Sequence, residues 1–147
     1  MQILEKGFTL VEMMIVLAII GVLGGLALVA YDDYISKGQI DEAITLLAGL
    51  RNPLVDYSSQ NNSWPTSIVG SGVNAASTEI SASITGKYAT ITSSVSGVYP
   101  SGVITATLGS NTRMNGQTII FSTTDGGANW LCNGGTVVSR KRPQACR

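Results

Sequence analysis

An uncharged, strongly apolar stretch from Met13 to Tyr31 constrains this chain more than any other feature of its sequence. A helix needs about 20 apolar residues to cross the hydrocarbon core of a bilayer, and this stretch is long enough. A secretory signal peptide would have a net positive head and a shorter apolar core, followed by a cleavage site. The head MQILEKG (1–7) is instead neutral, and a glutamate, Glu12, interrupts the apolar run early. The stretch therefore predicts a retained membrane helix, with cleavage by signal peptidase near small residues such as Ala27 as the alternative.

Beyond the uncharged stretch, the helical periodicity continues, but the pattern changes from uniformly apolar to amphipathic. Between residues 35 and 54, apolar side chains recur at steps of three to five, with charged residues between them, which predicts an amphipathic helix with one buried stripe. We predict one long helix over residues 8–59, with residues 8–31 as its membrane half. Pro53 lies inside the stripe and is expected to kink or break this helix.

The remainder of the chain reads as a small globular part over residues 60–147. Residues 60–86 are rich in Ser, Asn and Gly and predict a long loop with short ordered pieces. Runs rich in Ile, Val and Thr then predict strands with turn clusters between them: Tyr88–Val95, Val103–Leu108, Thr118–Thr123, and a fourth at either Trp130–Cys132 or Thr136–Ser139. The predicted fold is α+β, in which the stripe of the long helix packs on a small antiparallel sheet.

Composition argues against catalysis. The chain contains no histidine, and its nine basic and nine acidic residues balance. The commonest general base and metal ligand are thus missing. No glycine-rich phosphate loop followed by Lys-Ser/Thr and no cluster of metal ligands is present. The sequence predicts no enzyme activity, no cofactor and no metal site.

Two cysteines, Cys132 and Cys146, lie near the C-terminus. In a chain with an export-type N-terminus they predict one disulfide in an oxidising compartment. Two free cytosolic thiols are the alternative.

Glu12 is an unusual residue at the start of an apolar segment, because a carboxylate in lipid is costly. One interpretation is that it reaches the lipid headgroups at modest cost. The other is that it pairs with a cation of another chain. Cleavage after Gly7 would create such a cation, the α-amine of Phe8.

The residues GFTLVE (7–12), then MMIVLAIIGVL (13–23) and AYDDYISKGQ (30–39), closely resemble the N-terminus of a type IV prepilin. The short head and Phe8 resemble the type IVa class. This resemblance implies that residues 1–7 are a leader. A prepilin peptidase would cut between Gly7 and Phe8 and N-methylate Phe8.

The resemblance also implies a structural function. The mature chain would be a pilin anchored in the bacterial inner membrane, with its head in the periplasm. Inner-membrane assembly machinery with cytoplasmic ATPases would add it to a homopolymeric surface filament used in adhesion, twitching motility or DNA uptake. In that filament the Glu12 carboxylate would neutralise the Phe8 amine of a neighbour, where an unpaired buried charge is costly. The head would carry an αβ-loop and an exposed disulfide loop, 132–146.

One position departs from the family pattern. Many type IVa pilins carry a proline where this chain has Val29. That proline helps the helix to bend or melt in filaments. Any loosening here would have to come from Gly21, Gly24 and Gly25.

A basic segment in and directly after the disulfide loop is formed by Arg140, Lys141, Arg142 and Arg147. The conservative interpretation is a solvated cationic rim. The functional one is a contact for DNA or anionic host or abiotic surfaces, since basic clusters follow phosphates. Trp64 and Trp130 are expected in the core rather than in a stacking surface.

Three functions fit this N-terminus: a major pilin, a low-abundance DNA-binding minor pilin, and a pseudopilin of a type II secretion system. Major pseudopilins carry a C-terminal calcium site. Asp125 is the only acid in the last third of the chain, which is too few for such a site. The sequence favours the major pilin.

Overall fold

The structure is a computed structural model that describes residues 7–147. The predicted leader, residues 1–7, therefore lies outside the described residues except for Gly7. Within this range the chain forms two α-helices, six strands and two short 3-10 turns: α1 (Leu10–Gly49), α2 (Arg51–Asn61), β1 (Ser67–Gly70), β2 (Glu79–Ala82), β3 (Ala89–Ile91), β4 (Gly102–Leu108), β5 (Thr118–Thr123), β6 (Leu131–Gly134), and the turns Ser139–Lys141 and Gln144–Cys146.

The chain divides into two compact units, one ending at Tyr34 and one formed by Ile35–Arg147. The first unit contains the N-terminal part of α1, whose large apolar side chains are exposed. Among the described residues, the helical segment Leu10–Asn61 is long and apolar enough to cross a membrane by length and composition. The helix is continuous through Gly21–Gly25. Whether it melts in a filament stays an open prediction of the sequence.

The second unit is built around the predicted apolar stripe. From the helices, Ile40, Leu47 and Leu54 are fully buried. They belong to the same core cluster as the inward side chains of β4 and β5, including Ile104 and Ile119. The amphipathic half of the helix thus packs on a small antiparallel sheet, as the sequence predicts.

The sheet has four antiparallel strands in the order β3-β4-β5-β6. In β4, buried and half-buried residues alternate strictly, as expected for a strand with one face on the core. Strand β5 has the predicted ends, whereas β3 is limited to Ala89–Ile91. Strand β6 corresponds to the first of the two candidates for the last strand. The second candidate, Thr136–Ser139, is not a strand, although Val137 is buried.

The predicted loop at 60–86 contains a second, two-stranded sheet in which β1 and β2 pair in parallel. The Ile68 N–H donates to the Ser93 carbonyl at 2.6 Å, which ties β1 to the chain beyond β3. The Glu42 carboxylate of α1 accepts from the Tyr88 N–H at 2.9 Å. These contacts between distant residues order a segment whose local composition predicts a loop.

The two helices are separated at Leu50, three residues before Pro53. Pro53 lies in the first turn of α2, where its missing N–H costs no internal helix bond. Leu50 keeps a right-handed helical conformation (φ −80°, ψ −17°) and is fully buried. The apolar stripe therefore continues through the break.

The turn after β5 supports α2 and depends on Asp125. Its carboxylate accepts from the Asn129 N–H at 2.9 Å and from the Thr123 hydroxyl at 2.8 Å. Gly126 has φ +73°, and a Cβ there would approach the Tyr99 hydroxyl at 2.8 Å. The Ser58 hydroxyl of α2 donates to the Gly126 carbonyl at 3.0 Å. The turn is thus closed by Asp125 and joined to the helix through Ser58.

This geometry predicts a pH-dependent contribution to stability. Hydrogen bonds from the backbone and side chain of Asn129, then from Thr123, lower the pKa of Asp125 to about 2. An unfolded aspartate has a pKa of about 3.9. Since the folded pKa is the lower one, the contribution is present above about pH 4 and is lost as the pH falls through about 2.

We therefore expect Asp125→Asn to lower the urea midpoint of the head near neutral pH. The effect should be small, because the carboxylate is exposed to solvent. The gap between the two proteins should close as the pH falls toward 2. A gap that stays constant between neutral and acid pH would show that the charge of Asp125 does not stabilise the turn.

Candidate functional site

The N-terminal segment at Gly7–Glu12 places the predicted processing residues just before a helix. Gly7, Phe8 and Thr9 are not helical, and α1 begins at Leu10. All are exposed, and a Cβ on Gly7 would meet no atom within 4 Å. The Gly7–Phe8 peptide bond is thus in an accessible, non-helical segment, which is what a protease needs.

Thr9 and Glu12 form a reciprocal cap at the start of α1. The Thr9 N–H and hydroxyl donate to Glu12 Oε2 at 2.8 and 2.7 Å. The Glu12 N–H donates to the Thr9 hydroxyl at 3.2 Å. This is a capping box, for which the spacing Thr-x-x-Glu is a known sequence signature. Sequence reasoning missed this role of Thr9, although the signal was present.

The cap does not use the whole carboxylate. The two hydrogen bonds that Glu12 accepts from Thr9 both end on Oε2. A carboxylate has about four acceptor positions on its two oxygens. Glu12 can therefore hold the helix start and accept from a further donor at once. Phe8, four positions earlier in the chain, is 83% exposed.

The apolar side chains of the first unit form a surface too large for a soluble monomer. The exposed ones include Ile19, Leu23, Leu26 and Val29. Such extended apolar surfaces are covered by lipid or by other chains. The position that differs from the family pattern, Val29, is helical like its neighbours.

The predicted disulfide is present between Cys132 and Cys146. It joins β6 to the last 3-10 turn, and Cys146 is buried in the core cluster. Closing a loop of this length stabilises a fold by about 3 kcal/mol in the chain-entropy model.

We expect Cys146→Ser to lower the free energy of unfolding of the head by about 3 kcal/mol. Urea titration under non-reducing conditions, followed by the fluorescence of Trp64 and Trp130, measures this. The double variant Cys132→Ser/Cys146→Ser is the control and should lose as much, because it removes the same crosslink without leaving a thiol. Equal stability of Cys146→Ser and the parent chain would refute the stabilising role.

The basic segment is not one uniform surface. Arg142 is buried, and its guanidinium donates to the carbonyls of Val137 at 2.8 Å and Gly135 at 2.7 Å. Arg142 therefore supports the inside of the disulfide loop, which corrects its place in the predicted exposed patch. A guanidinium that donates to two carbonyls of one loop holds that loop in shape.

The other basic residues differ in exposure. Arg140 and Arg147 are exposed, and Lys141 is half-buried. The Arg147 guanidinium folds back and donates to the carbonyl of Arg142 at 3.1 Å. The structure does not test whether these three residues contact DNA or another anionic surface, so that interpretation stays a prediction.

The two tryptophans pack as expected for core residues rather than for an exposed stacking surface. Trp64 and Trp130 lie against the core with ring centroids 6.1 Å apart, and Tyr99 meets Trp64 edge-on at 5.6 Å. The Trp64 indole N–H donates to the Ser101 carbonyl at 2.8 Å. Over residues 7–147, no group of three His, Cys, Asp or Glu side chains is placed to hold a metal ion.

Comparison with protein families matches two parts of the chain. Residues 36–147 match a family described as pilin, a bacterial filament protein. Residues 4–28 match the prokaryotic N-terminal methylation motif, which includes Gly7, Phe8 and Glu12.

Similar proteins extend over nearly the whole chain. The fimbrial protein EcpC of Eikenella corrodens is 36% identical over 97% of this chain and 91% of its own length. A fimbrial protein of Neisseria meningitidis is 38% identical, covering 90% of this chain and 75% of the relative. The type IV major pilin protein PilE of Neisseria gonorrhoeae is 36% identical, covering 90% of this chain and 76% of the relative.

Proposed function

This chain belongs to the pilin family of bacterial filament proteins, and on that premise we propose the route by which it becomes part of a filament. It is a structural subunit of a type IV pilus rather than a member of an enzyme class. The observation that carries this conclusion is the family match over residues 36–147, together with relatives named type IV major pilin and fimbrial protein over most of the chain.

The first proposed step is processing. The methylation motif over residues 4–28 supports removal of a leader ending at Gly7 and methylation of Phe8. A prepilin peptidase of the inner membrane would carry out both. The exposed, non-helical Gly7–Phe8 bond suits this step, because a protease binds its substrate in an extended conformation.

The second proposed step is storage in the membrane. The uncharged stretch of α1 anchors the cleaved chain in the inner membrane, with the head, residues 60–147, in the periplasm. The Cys132–Cys146 disulfide supports this placement, since such bonds persist in oxidising compartments.

The third proposed step is assembly. Inner-membrane machinery driven by cytoplasmic ATPases adds the subunit to a filament held together by its apolar helices. There Glu12 accepts from the Phe8 α-amine of a neighbouring subunit. The pair neutralises two charges in an apolar filament core, where either one alone is destabilising. The capping box supports this role, because it holds the Glu12 carboxylate at the start of the helix.

The alternatives are not favoured. The relatives described above are named as a type IV major pilin and as fimbrial proteins. Adhesion, twitching motility and DNA uptake are the activities we propose for the assembled filament. DNA contact would fall to Arg140, Lys141 and Arg147, since Arg142 is buried.

The test is to shear surface filaments from cells, image them, and identify their main protein by mass spectrometry. We expect a subunit that begins at methylated Phe8 as the dominant species. Filaments built mainly of another protein would contradict the major-pilin role. An intact Met1 terminus in assembled subunits would contradict the processing step.

A further inference from the structure

A cleft in the second unit lies between α2 and the turn after β5. It encloses about 460 Å³, and its α2 wall is formed by Arg51, Asn52, Val55 and Asp56, while Gly127 belongs to the opposite wall. We refer to it as the α2 cleft. Of its lining residues, only Arg51 and Asp56 are charged, and both are exposed. The α2 cleft therefore presents one cation and one acid to solvent, with no net charge.

Arg51 and Asp56 lie on opposite edges of the helix face that forms the α2 cleft. Successive residues of an α-helix are about 100° apart around its axis, so these two are separated by about 140° and by about 7.5 Å along the axis. Side chains that face each other on a helix are three or four residues apart, not five. Across the described range 7–147, neither the Arg51 guanidinium nor the Asp56 carboxylate has a hydrogen-bond or ion-pair partner.

We propose that the α2 cleft is a contact between subunits of the filament, in which Arg51 of one subunit pairs with Asp56 of the next. One cation and one acid make the cleft complementary to a second copy of itself rather than to a ligand of a single charge. Because the two charges lie on opposite edges, each subunit can offer Arg51 to one neighbour and Asp56 to the other. A head-to-tail contact of this kind repeats without closing, as an open helical filament requires.

The order of the two charges is the same as in the contact proposed at the N-terminus. There the Phe8 amine precedes Glu12 by four residues, and here Arg51 precedes Asp56 by five. Both contacts join a cation of one subunit to an acid of its neighbour, so the inference rests on the proposed function. Exposed ion pairs stabilise only weakly, whereas like charges brought together repel. We therefore expect the α2 contact to select the position of the neighbour rather than to supply most of the affinity.

Charge reversal in two co-expressed chains tests the contact. Arg51→Glu subunits carry acids at both positions, and Asp56→Arg subunits carry cations at both. Each variant expressed alone should repel its own kind and yield about tenfold fewer sheared filaments than the parent chain. Co-expression should restore filaments that contain the two variants in equal amounts by mass spectrometry, because every contact then joins an acid to a cation.

The controls separate the contact from general effects of charge and from folding. Arg140→Glu reverses an exposed cation that does not line the α2 cleft, so it should assemble as the parent chain does. The double variant Arg51→Glu/Asp56→Arg exchanges both partners in one chain and should also assemble. Because both side chains are exposed, the urea midpoints of the detergent-solubilised variants should equal that of the parent chain.

Several results would overturn the inference. Normal filament yield from either single variant would show that the charges make no contact. Rescue by the double variant but not by co-expression would place the pair within one subunit. Loss without either rescue would assign the α2 cleft to a partner other than a second copy, and an equal loss in Arg140→Glu would reduce it to a general effect of charge. A parent chain that forms no filaments would overturn the proposed function as well, whereas intact parent filaments confine any failure to the α2 cleft.

Discussion

Glu12→Val is expected to give a subunit that is cleaved and anchored in the membrane but largely absent from filaments. The substitution makes the helix more apolar, so membrane insertion should be unaffected. In the proposed filament it leaves the Phe8 amine of a neighbour unpaired in an apolar core, which is strongly destabilising. We expect the fraction of the variant in sheared filaments to fall roughly a hundredfold when it is co-expressed with the parent chain.

The capping box provides the control for this experiment. Thr9→Val removes the hydroxyl that bonds Glu12 in both directions but keeps the carboxylate. Loss of such a cap costs about 1 kcal/mol of helix stability, so Thr9→Val should assemble nearly normally. If it fails as completely as Glu12→Val, the carboxylate acts by starting the helix and not by pairing.

The alternative interpretation of Glu12 makes the opposite prediction. A glutamate that only reaches the headgroups predicts normal assembly of Glu12→Val. The same strain must show leader removal by mass spectrometry, because an uncleaved subunit would also be missing from filaments. A cleaved variant that enters filaments as efficiently as the parent chain would exclude the pairing role.

Gly7→Val is expected to abolish leader removal and, with it, filament formation. The peptidase must accept the residue before the cut, and we expect a β-branched side chain not to fit there. In the subunit itself, the substitution causes no steric clash, since a Cβ at Gly7 has no neighbour within 4 Å. Any effect should therefore arise in the enzyme's site and not in the fold of the substrate.

The measurement is the intact mass of the membrane-bound subunit, which should retain residues 1–7 and lack the N-methyl group. Gly7→Ala is the graded control, because its smaller side chain should slow cleavage without stopping it. The urea midpoint of the head should be the same in both variants and the parent chain. Efficient cleavage of Gly7→Val would remove Gly7 from the processing step.

Much of the fold follows from periodicity and turn residues. The strand at Thr118–Thr123 has the predicted ends, because it is a run rich in Ile and Thr with turn residues on both sides. The helix break falls close to Pro53, since a proline restricts helices locally. The parallel pair of β1 and β2 could not be predicted in this way. Its strands have four residues each, and their pairing depends on each other and on neighbours elsewhere in the chain.

The candidate site residues differ in the same way: some depend on local sequence and others on tertiary contacts. The residues of the N-terminal site are close together in sequence, so a short motif is enough to propose Gly7, Phe8 and Glu12. The capping bond between Thr9 and Glu12 is equally local. The basic segment is different, because the same residue type has different roles within it. Arg140 faces solvent, whereas Arg142 is buried and bonds two loop carbonyls.

By itself, the sequence determined the long apolar helix, the α+β class, the cysteine pair and the N-terminal methylation motif, because each depends on residues near one another or on hydrophobicity alone. Only the tertiary structure decided which arginine is structural and that Gly127 joins Arg51 and Asp56 in one cleft. It also decided that Glu42 ties the loop before β3 to the helix. These contacts join residues far apart in the chain, and they arise from the packing of the apolar stripe on the sheet, which no local pattern encodes.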